Sequence, residues 1–339
     1  MDLRLPNFAR LLLIGGIVVA LAFAAPGTAR AETVKIGVLK FSFSGPVFIA
    51  LERGYFAAEG LTPRLVFFES GQPIAPALVA GELDFGASGL TGGFYSLAAQ
   101  GALRIIGGLH REAPSFHTQA IVASSKAFER GLKSFKDLQD QSFGISQFGS
   151  PAHYSLVLLA VKYGLDLKSI RLLPLQSIPN VMAALGGGHA DATILPVGAV
   201  LPGVQRGELK LLGWVGDETP FQIGAVYTRT KIANEKRSEI ERFLRALQKG
   251  ERDYHDAFAD AEDRRRDGPD ADAIARLIAG YTGETPERVK AGIAAIDAQG
   301  RLDVDDILRQ IAWYKSQNIV KASVDGAQLV DRRYVVPLR

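Results

Sequence analysis

The chain has 339 residues, of which 47% are hydrophobic, with 39 basic and 36 acidic residues and no cysteine. A charge so nearly balanced argues against nucleic acid or a membrane surface as a partner, and the lack of cysteine excludes a disulfide framework and a cysteine-linked lipid anchor. The length is too great for one hydrophobic core and suits two domains of ordinary size.

The first 31 residues have the pattern of a secretory signal peptide. Arg4 and Arg10 precede an apolar run at residues 11–25, and Ala29 and Ala31 then offer small side chains for cleavage. The run is shorter than the roughly 20 residues that a membrane-spanning helix needs. We therefore expect cleavage near Ala31, a free periplasmic protein that is not a lipoprotein, and a mature net charge of +1, because three basic residues and one acidic residue are removed.

Residues 34–230 contain two copies of one unit. The pattern Ala-Leu-x-x-Gly-x-x-Asp occurs at residues 77–84 and again at 184–191, each time before an apolar run. It is typical of a last helical turn, a glycine with positive φ, a short turn and a buried strand. Upstream, a strand, a polar loop and a proline recur at residues 36–46 and 143–151, and proline suits the first turn of a helix. This order predicts a duplicated architecture.

The remaining elements follow from hydrophobic patterning. The first copy predicts strands at residues 34–39, 62–68 and 85–88, with helices near 46–59 and 73–80. Further strands are expected at 104–108, 117–124 and 224–228, the last after residues 138–212 have repeated the unit. Helices are expected at 235–258, from 285, and at 303–314. Alternating strands and helices predict an α/β fold with doubly wound parallel sheets.

The chain should pass between the two copies twice, near residues 117 and 225, so we expect a two-segment hinge. The predicted organisation is a signal peptide at 1–31, a discontinuous lobe I at 32–117 plus 225–339, and a lobe II at 118–224.

Residues 43–61, with Ala-Leu-Glu-Arg-Gly-Tyr-Phe at 50–56, resemble the opening of the nitrate/sulfonate/taurine solute-binding proteins of ABC transporters, the NMT1/THI5-like family. Residues 81–86, 134–138, 149–153 and 188–191 extend the resemblance over about residues 34–255. It implies a type II periplasmic binding-protein fold of the Venus flytrap kind, with an ABC permease and ATPase as partners. The ligand stays open, because members of this family bind inorganic anions, sulfonates, aromatic carboxylates or pyrimidine precursors.

Candidate binding residues come from the loops beyond the carboxyl ends of the strands, where open parallel sheets bind ligands. In lobe I these are Phe41, Ser42, Phe43, Ser44, Gln72, Ser88, Gly89 and Thr91. In lobe II they are Gln147, Phe148, Gly149, Ser150, His153, Gln176, Asn180 and Pro196, with His117 at the first crossing and Trp214 near the rim.

These candidates are hydroxyls, amides, glycines and rings, with Lys40 as the one cation at their edge. They predict an anion with an apolar or planar body, held by helix N-termini and neutral donors. Asp84 and Asp191 are instead expected to stabilise turns.

The predicted function is the periplasmic substrate-binding component of an ABC importer, a monomer that captures a small organic anion of sulfonate or aromatic carboxylate type by hinge closure. No catalytic motif occurs, the five histidines lack metal-ligand spacing, and no cofactor is expected. Two alternatives stay open: an enzyme of pyrimidine or menaquinone-precursor synthesis on the same fold, and a ligand-sensing receptor subunit. The cysteine-rich motif of thiamine-pyrimidine synthases is absent.

Overall fold

The computed structural model describes residues 32–338, so the predicted signal peptide lies outside the described residues. The strands are β1 Glu32–Leu39, β2 Leu61–Phe68, β3 Phe85–Gly89, β4 Leu103–Gly108, β5 His110–Glu112, β6 Gln119–Ser124, β7 Ser142–Ile145, β8 Arg171–Pro174, β9 Ala192–Pro196, β10 Leu209–Trp214, β11 Phe221–Gln222, β12 Gly224–Arg229 and β13 Ala295–Ile296.

The helices alternate with these strands up to β12 and then dominate. They are α1 Gly45–Glu52, α2 Tyr55–Ala58, α3 Ile74–Val79, α4 Gly92–Ala99, α5 Ser125–Glu129, α6 Pro151–Tyr163, α7 Ile178–Gly186, α8 Val197–Gln205, α9 Val215–Glu218, α10 Thr230–Glu235, α11 Arg237–Phe258, α12 Ala271–Thr282, α13 Pro286–Ala291 and α14 Val304–Ser316. Single 3₁₀ turns lie at Ser42–Ser44, Phe135–Leu138 and Gly326–Leu329.

Two five-stranded sheets have the same topology. The first has the order β2-β1-β3-β12-β4, and the second has the order β8-β7-β9-β6-β10. In each sheet three parallel strands are followed by two that run antiparallel to their neighbours. The predicted duplication is therefore confirmed, strand for strand, and a third sheet of β11, β5 and β13 accompanies the pair.

The repeated Ala-Leu-x-x-Gly-x-x-Asp motif has the same structure in both sheets. Gly81 and Gly188 have φ values of +80° and +71° just after α3 and α7, a region that favours glycine. The Asp84 carboxylate accepts the backbone N–H of Lys35 at 2.9 Å, and the Asp191 carboxylate accepts that of Ser142 at 2.8 Å. Each aspartate thus joins its turn to the neighbouring first strand, as predicted for a structural role.

The predicted helix near residues 46–59 is wrong in one respect, because it is two helices. Gly54 has a φ of +69° and separates α1 from α2. A residue in the left-handed region ends a helix, so the chain turns there before α2 and β2.

The hydrophobic core follows the sheets. One cluster packs the first sheet against the C-terminal helices, and its centre includes Phe85 and Phe243, whose rings stack with centroids 3.8 Å apart. The second sheet has a cluster on each face, one around Phe143 and one around Val181. Gly250 of α11 lies so close to α1 that an added Cβ would be 2.2 Å from the Pro46 carbonyl oxygen. Only glycine allows this helix contact.

Candidate functional site

A cavity of about 80 Å³ lies where the carboxyl ends of the parallel strands of both sheets meet. Leu39 and Gly89 end β1 and β3 in the first sheet, and Ser146 and Pro196 lie at the ends of β7 and β9 in the second. The cavity is several times larger than the 10–15 Å³ that one water molecule needs. Both sheets therefore contribute to one space that can hold a small molecule.

Three helices begin at this cavity. Thr91, Ser150 and Ser177 are the N-caps of α4, α6 and α7, and their hydroxyls accept backbone N–H groups at 3.2–3.3 Å. Thr91, Ser150 and Ile178, the first residue of α7, line the cavity. Because a helix N-terminus carries about half a positive charge, their convergence favours a negatively charged guest.

The cavity lining holds no charged side chain. None of its described residues is Lys, Arg, Asp or Glu, and its one titratable group is His110. The imidazole of His110 stacks on Phe43 with centroids 4.3 Å apart, and burial lowers its pKa to about 3. His110 is therefore neutral above about pH 4, and an anion here would meet dipoles and neutral donors only.

One hydroxyl in the lining has no protein partner. Thr118 is buried, and its Oγ1 forms no hydrogen bond with any described residue. A buried polar group without a partner is costly, and native structures contain few of them. Thr118 is thus free to donate to a guest in the cavity.

Six of the predicted residues line the cavity together: Phe43, Gly89, Thr91, Gln147, Ser150 and Pro196. They come from both sheets, so the loops chosen from the sequence do face one another. Whether they bind a ligand stays a prediction.

Three predicted serines are turned into the protein. The Ser42 hydroxyl donates to the Gly292 carbonyl, and the Ser88 hydroxyl forms a 2.8 Å hydrogen bond with the Tyr227 hydroxyl. Ser44 is fully buried, and its hydroxyl has no partner among the described residues. None of the three lines the cavity.

Five predicted residues lie at the junction between the loops of the two sheets. Gly149, whose φ is +74°, accepts the N–H of Gly92 at 2.8 Å and donates its own N–H to His153 Nδ1 at 3.0 Å. Burial lowers the pKa of His153 to about 4, which keeps this nitrogen an acceptor. The Gln147 amide donates to Gln72 at 3.5 Å, and Phe148 is half exposed at the edge of the His153 ring.

The other predicted residues lie further out. The His117 ring stacks on Trp214, with centroids 4.1 Å apart, and lies 3.7 Å from the Asp217 carboxylate. The Gln176 N–H donates to the Ser146 carbonyl at 2.7 Å, and the Asn180 amide donates to the Leu175 carbonyl at 2.9 Å. Phe41 lines a second recess beside the cavity.

Several lining residues were not predicted, among them His110, Thr118, Gln119, Ile194 and Ile223. His110, Thr118 and Ile223 belong to the segments in which the chain crosses between the sheets. The crossings near residues 117 and 225 are predicted from the sequence, but the residue predicted at the first crossing is His117. His117 and Thr118 are neighbours in the chain, but only Thr118 lines the cavity.

Within residues 32–338, no cluster of three or more His, Asp or Glu side chains is placed to hold a metal ion. No helix in the same range combines the length and apolar character needed to cross a membrane.

Solved structures with this fold include binding proteins and an enzyme. The alkanesulfonate-binding protein SsuA from Xanthomonas axonopodis pv. citri, bound to MOPS, has a TM-score of 0.70 at 21% identity, over 89% of this chain and 99% of that one. The nitrate-binding protein NrtA from Synechocystis has a TM-score of 0.64 at 14% identity, over 87% and 84%. The desulfurization enzyme DSZB has a TM-score of 0.58 at 14% identity, over 90% and 96%.

No curated protein matches the chain significantly. The family model described as NMT1/THI5 like matches residues 42–261, which is more than half of the chain. The chain therefore belongs to the NMT1/THI5-like family and has the periplasmic binding-protein fold of the sulfonate- and nitrate-binding proteins it resembles.

Proposed function

We propose that this protein is the periplasmic substrate-binding component of an ABC importer, and that it captures a small organic anion in the cavity between the sheets. The observation that carries the proposal is the convergence of three helix N-termini, from both sheets, on a cavity with an unpartnered threonine hydroxyl and no charged side chain. Neutral donors hold an anion without a salt bridge, which suits a receptor that must release its cargo.

Binding would couple to closure of two lobes, lobe I at residues 32–117 with 225–339 and lobe II at 118–224. The strand membership of the two sheets supports this division. The hydrogen bond from the Gly92 N–H to the Gly149 carbonyl, and that from the Tyr314 hydroxyl to the same carbonyl at 2.9 Å, link the two lobes beside the cavity. A ligand that touches both lobes would favour the closed form, because only that form offers all of its contacts.

An enzymatic role has less support, although the fold of DSZB shows that related structures can host one. Nucleophilic catalysis by serine needs a base within hydrogen-bonding distance. In the described cavity, the Ser150 hydroxyl accepts the backbone N–H of His153, while the ring of His153 is engaged by the Gly149 N–H. The arrangement positions a loop and does not activate a hydroxyl.

The test is a binding screen of residues 32–339 by thermal shift and calorimetry. The compounds are nitrate, taurine, alkyl and aryl sulfonates, benzoate- and phthalate-type acids, and pyrimidines. One class should raise the melting temperature in a concentration-dependent way and reduce the radius of gyration in solution scattering. If no class does either, the proposed function is wrong, and turnover of a bound compound would favour the enzyme instead.

A further inference from the structure

A second, wider recess adjoins the cavity. It measures about 490 Å³ and is lined by residues of both sheets, including Lys40, Phe41, Phe67, Glu69, Ile178 and Met182. We call this recess the vestibule. Its walls are mainly aromatic and aliphatic, and the Phe67 side chain is 38% exposed there. An exposed large apolar side chain that lines a recess beside a binding site indicates that the recess can take up an apolar part of a ligand.

The vestibule continues the cavity along the same chain segments. Ile178 lines both spaces. Leu39 lines the cavity and Lys40 the vestibule, and in the same way Ser70 lines the cavity while Glu69 lines the vestibule. The rings of Phe41 in the vestibule and Phe43 in the cavity are 5.5 Å apart. A guest too long for the cavity would therefore extend into the vestibule.

The charges differ between the two spaces. The cavity lining has no cation, whereas Lys40 Nζ lies in the vestibule at 5.2 Å from the centre of the Phe67 ring. No carboxylate of residues 32–338 lies within ion-pair distance of Lys40, although Glu69 lines the same recess. Lys40 is thus a cation over the Phe67 ring, in a recess that shares the lining residue Ile178 with the cavity.

We propose that the natural ligand is an elongated organic dianion that occupies both spaces. Its first acidic group lies at the helix N-termini of the cavity, its flat apolar body lies beside Phe41 and Phe67, and its second acidic group pairs with Lys40. Glu69 opposes the second group and limits the affinity. This inference rests on the proposed function and adds the length and the charge of the ligand.

The test compares monoacids and diacids with the same body: benzoate with terephthalate, and biphenyl-4-carboxylate with biphenyl-4,4′-dicarboxylate. Calorimetry gives Kd for the wild-type chain, Lys40→Gln, Glu69→Gln and the control Lys35→Gln. Lys35 is exposed on β1, whereas Lys40 directly follows that strand, and Lys35 does not line the vestibule, so its replacement changes the net charge equally but at another site. All three residues are exposed, and circular dichroism checks that each variant folds.

The wild-type chain should bind at least one diacid about tenfold more tightly than its monoacid, as expected for one charge-assisted hydrogen bond. Lys40→Gln should abolish this preference, Glu69→Gln should increase it, and Lys35→Gln should leave it within about twofold. Monoacid affinities should change little in any variant, because the monoacid lacks the group that Lys40 binds.

Three results would overturn the inference. They are a diacid preference that survives Lys40→Gln, an equal loss in Lys35→Gln, and tighter binding of compact ions such as nitrate or taurine than of any elongated acid. If taurine binds most tightly, the proposed function stands and only the vestibule's role is lost, whereas nitrate as the tightest ligand would also overturn the organic-anion part of the proposed function. If no compound of any class binds, the proposed function itself fails, so the two failures are distinguishable.

Discussion

Replacement of Thr118 by valine tests the cavity most directly. The side chains have nearly the same shape, and the Thr118 hydroxyl has no hydrogen bond with a described protein group that could be lost. The free energy of unfolding without ligand should therefore change by less than about 1 kcal/mol. A hydroxyl that donates to an anion contributes about 1.5–3 kcal/mol, so Thr118→Val should raise Kd by about 10- to 150-fold.

Thr193→Val is the matched control. The Thr193 hydroxyl is buried and donates to the Gly144 carbonyl at 2.7 Å, and Thr193 does not line the cavity. Its loss should cost about 1 kcal/mol or more in stability and leave Kd unchanged. Calorimetry with the tightest compound of the screen and urea denaturation measure the two quantities. If Thr118→Val binds as tightly as the wild type, or if Thr193→Val weakens binding equally, Thr118 does not contact the ligand.

Three further changes test closure, burial and helix propensity. Gly149 has a φ of +74°, and an alanine there would place its Cβ 2.9 Å from the Gly92 Cα. Gly149→Ala should therefore weaken ligand binding and enlarge the radius of gyration of the liganded protein. An unchanged radius of gyration would contradict closure at this contact. Burial raises the pKa of the Glu251 carboxyl well above its ordinary value of 4.5. As the pH rises above 4.5, Glu251 ionises in the unfolded chain but stays protonated in the folded protein. The free energy of unfolding of the wild type should therefore fall with rising pH. Glu251→Gln should remove this loss, and parallel pH–stability curves would refute it. Gly280→Ala, at an exposed position of α12 with no atom within 4 Å of the added Cβ, should stabilise the fold by about 0.5–1 kcal/mol in urea denaturation.

Ser150 is a less useful probe than its position in the sequence implies. Ser150 is fully buried and caps α6, and the loss of such a cap costs about 1 kcal/mol. A change at Ser150 therefore alters stability and the cavity together.

The sequence predicted the fold better than the site because the two depend on different kinds of information. Helix ends and strands follow from local patterns. The Ala-Leu-x-x-Gly-x-x-Asp motif occurs twice, so the same helix end, turn and strand are predicted independently in each copy. The direction of each serine in the 42–44 turn depends on distant partners, such as the Gly292 carbonyl that accepts from Ser42. No pattern within a loop contains that information.

The crossing segments were the other source of difference. Thr118 lies between β5 and β6, outside any regular element, so neither a helical nor a strand period selects its direction, and His110 is the first residue of the three-residue strand β5. The prediction for His117 rests on its place at the first crossing, yet its ring packs on Trp214 and does not line the cavity. In such segments, the type of a residue is weak evidence for the direction in which its side chain points.

The place of β12 in the first sheet affects the order in which the molecule can be assembled. The second sheet is made entirely of residues 119–214, whereas the strand that joins β4 to the first sheet is β12, which follows after that whole sheet has been synthesised. A growing chain can thus complete the second sheet first, while the first sheet waits with an unpaired edge for residues 224–229. The first sheet therefore stays incomplete until about two thirds of the chain has been synthesised.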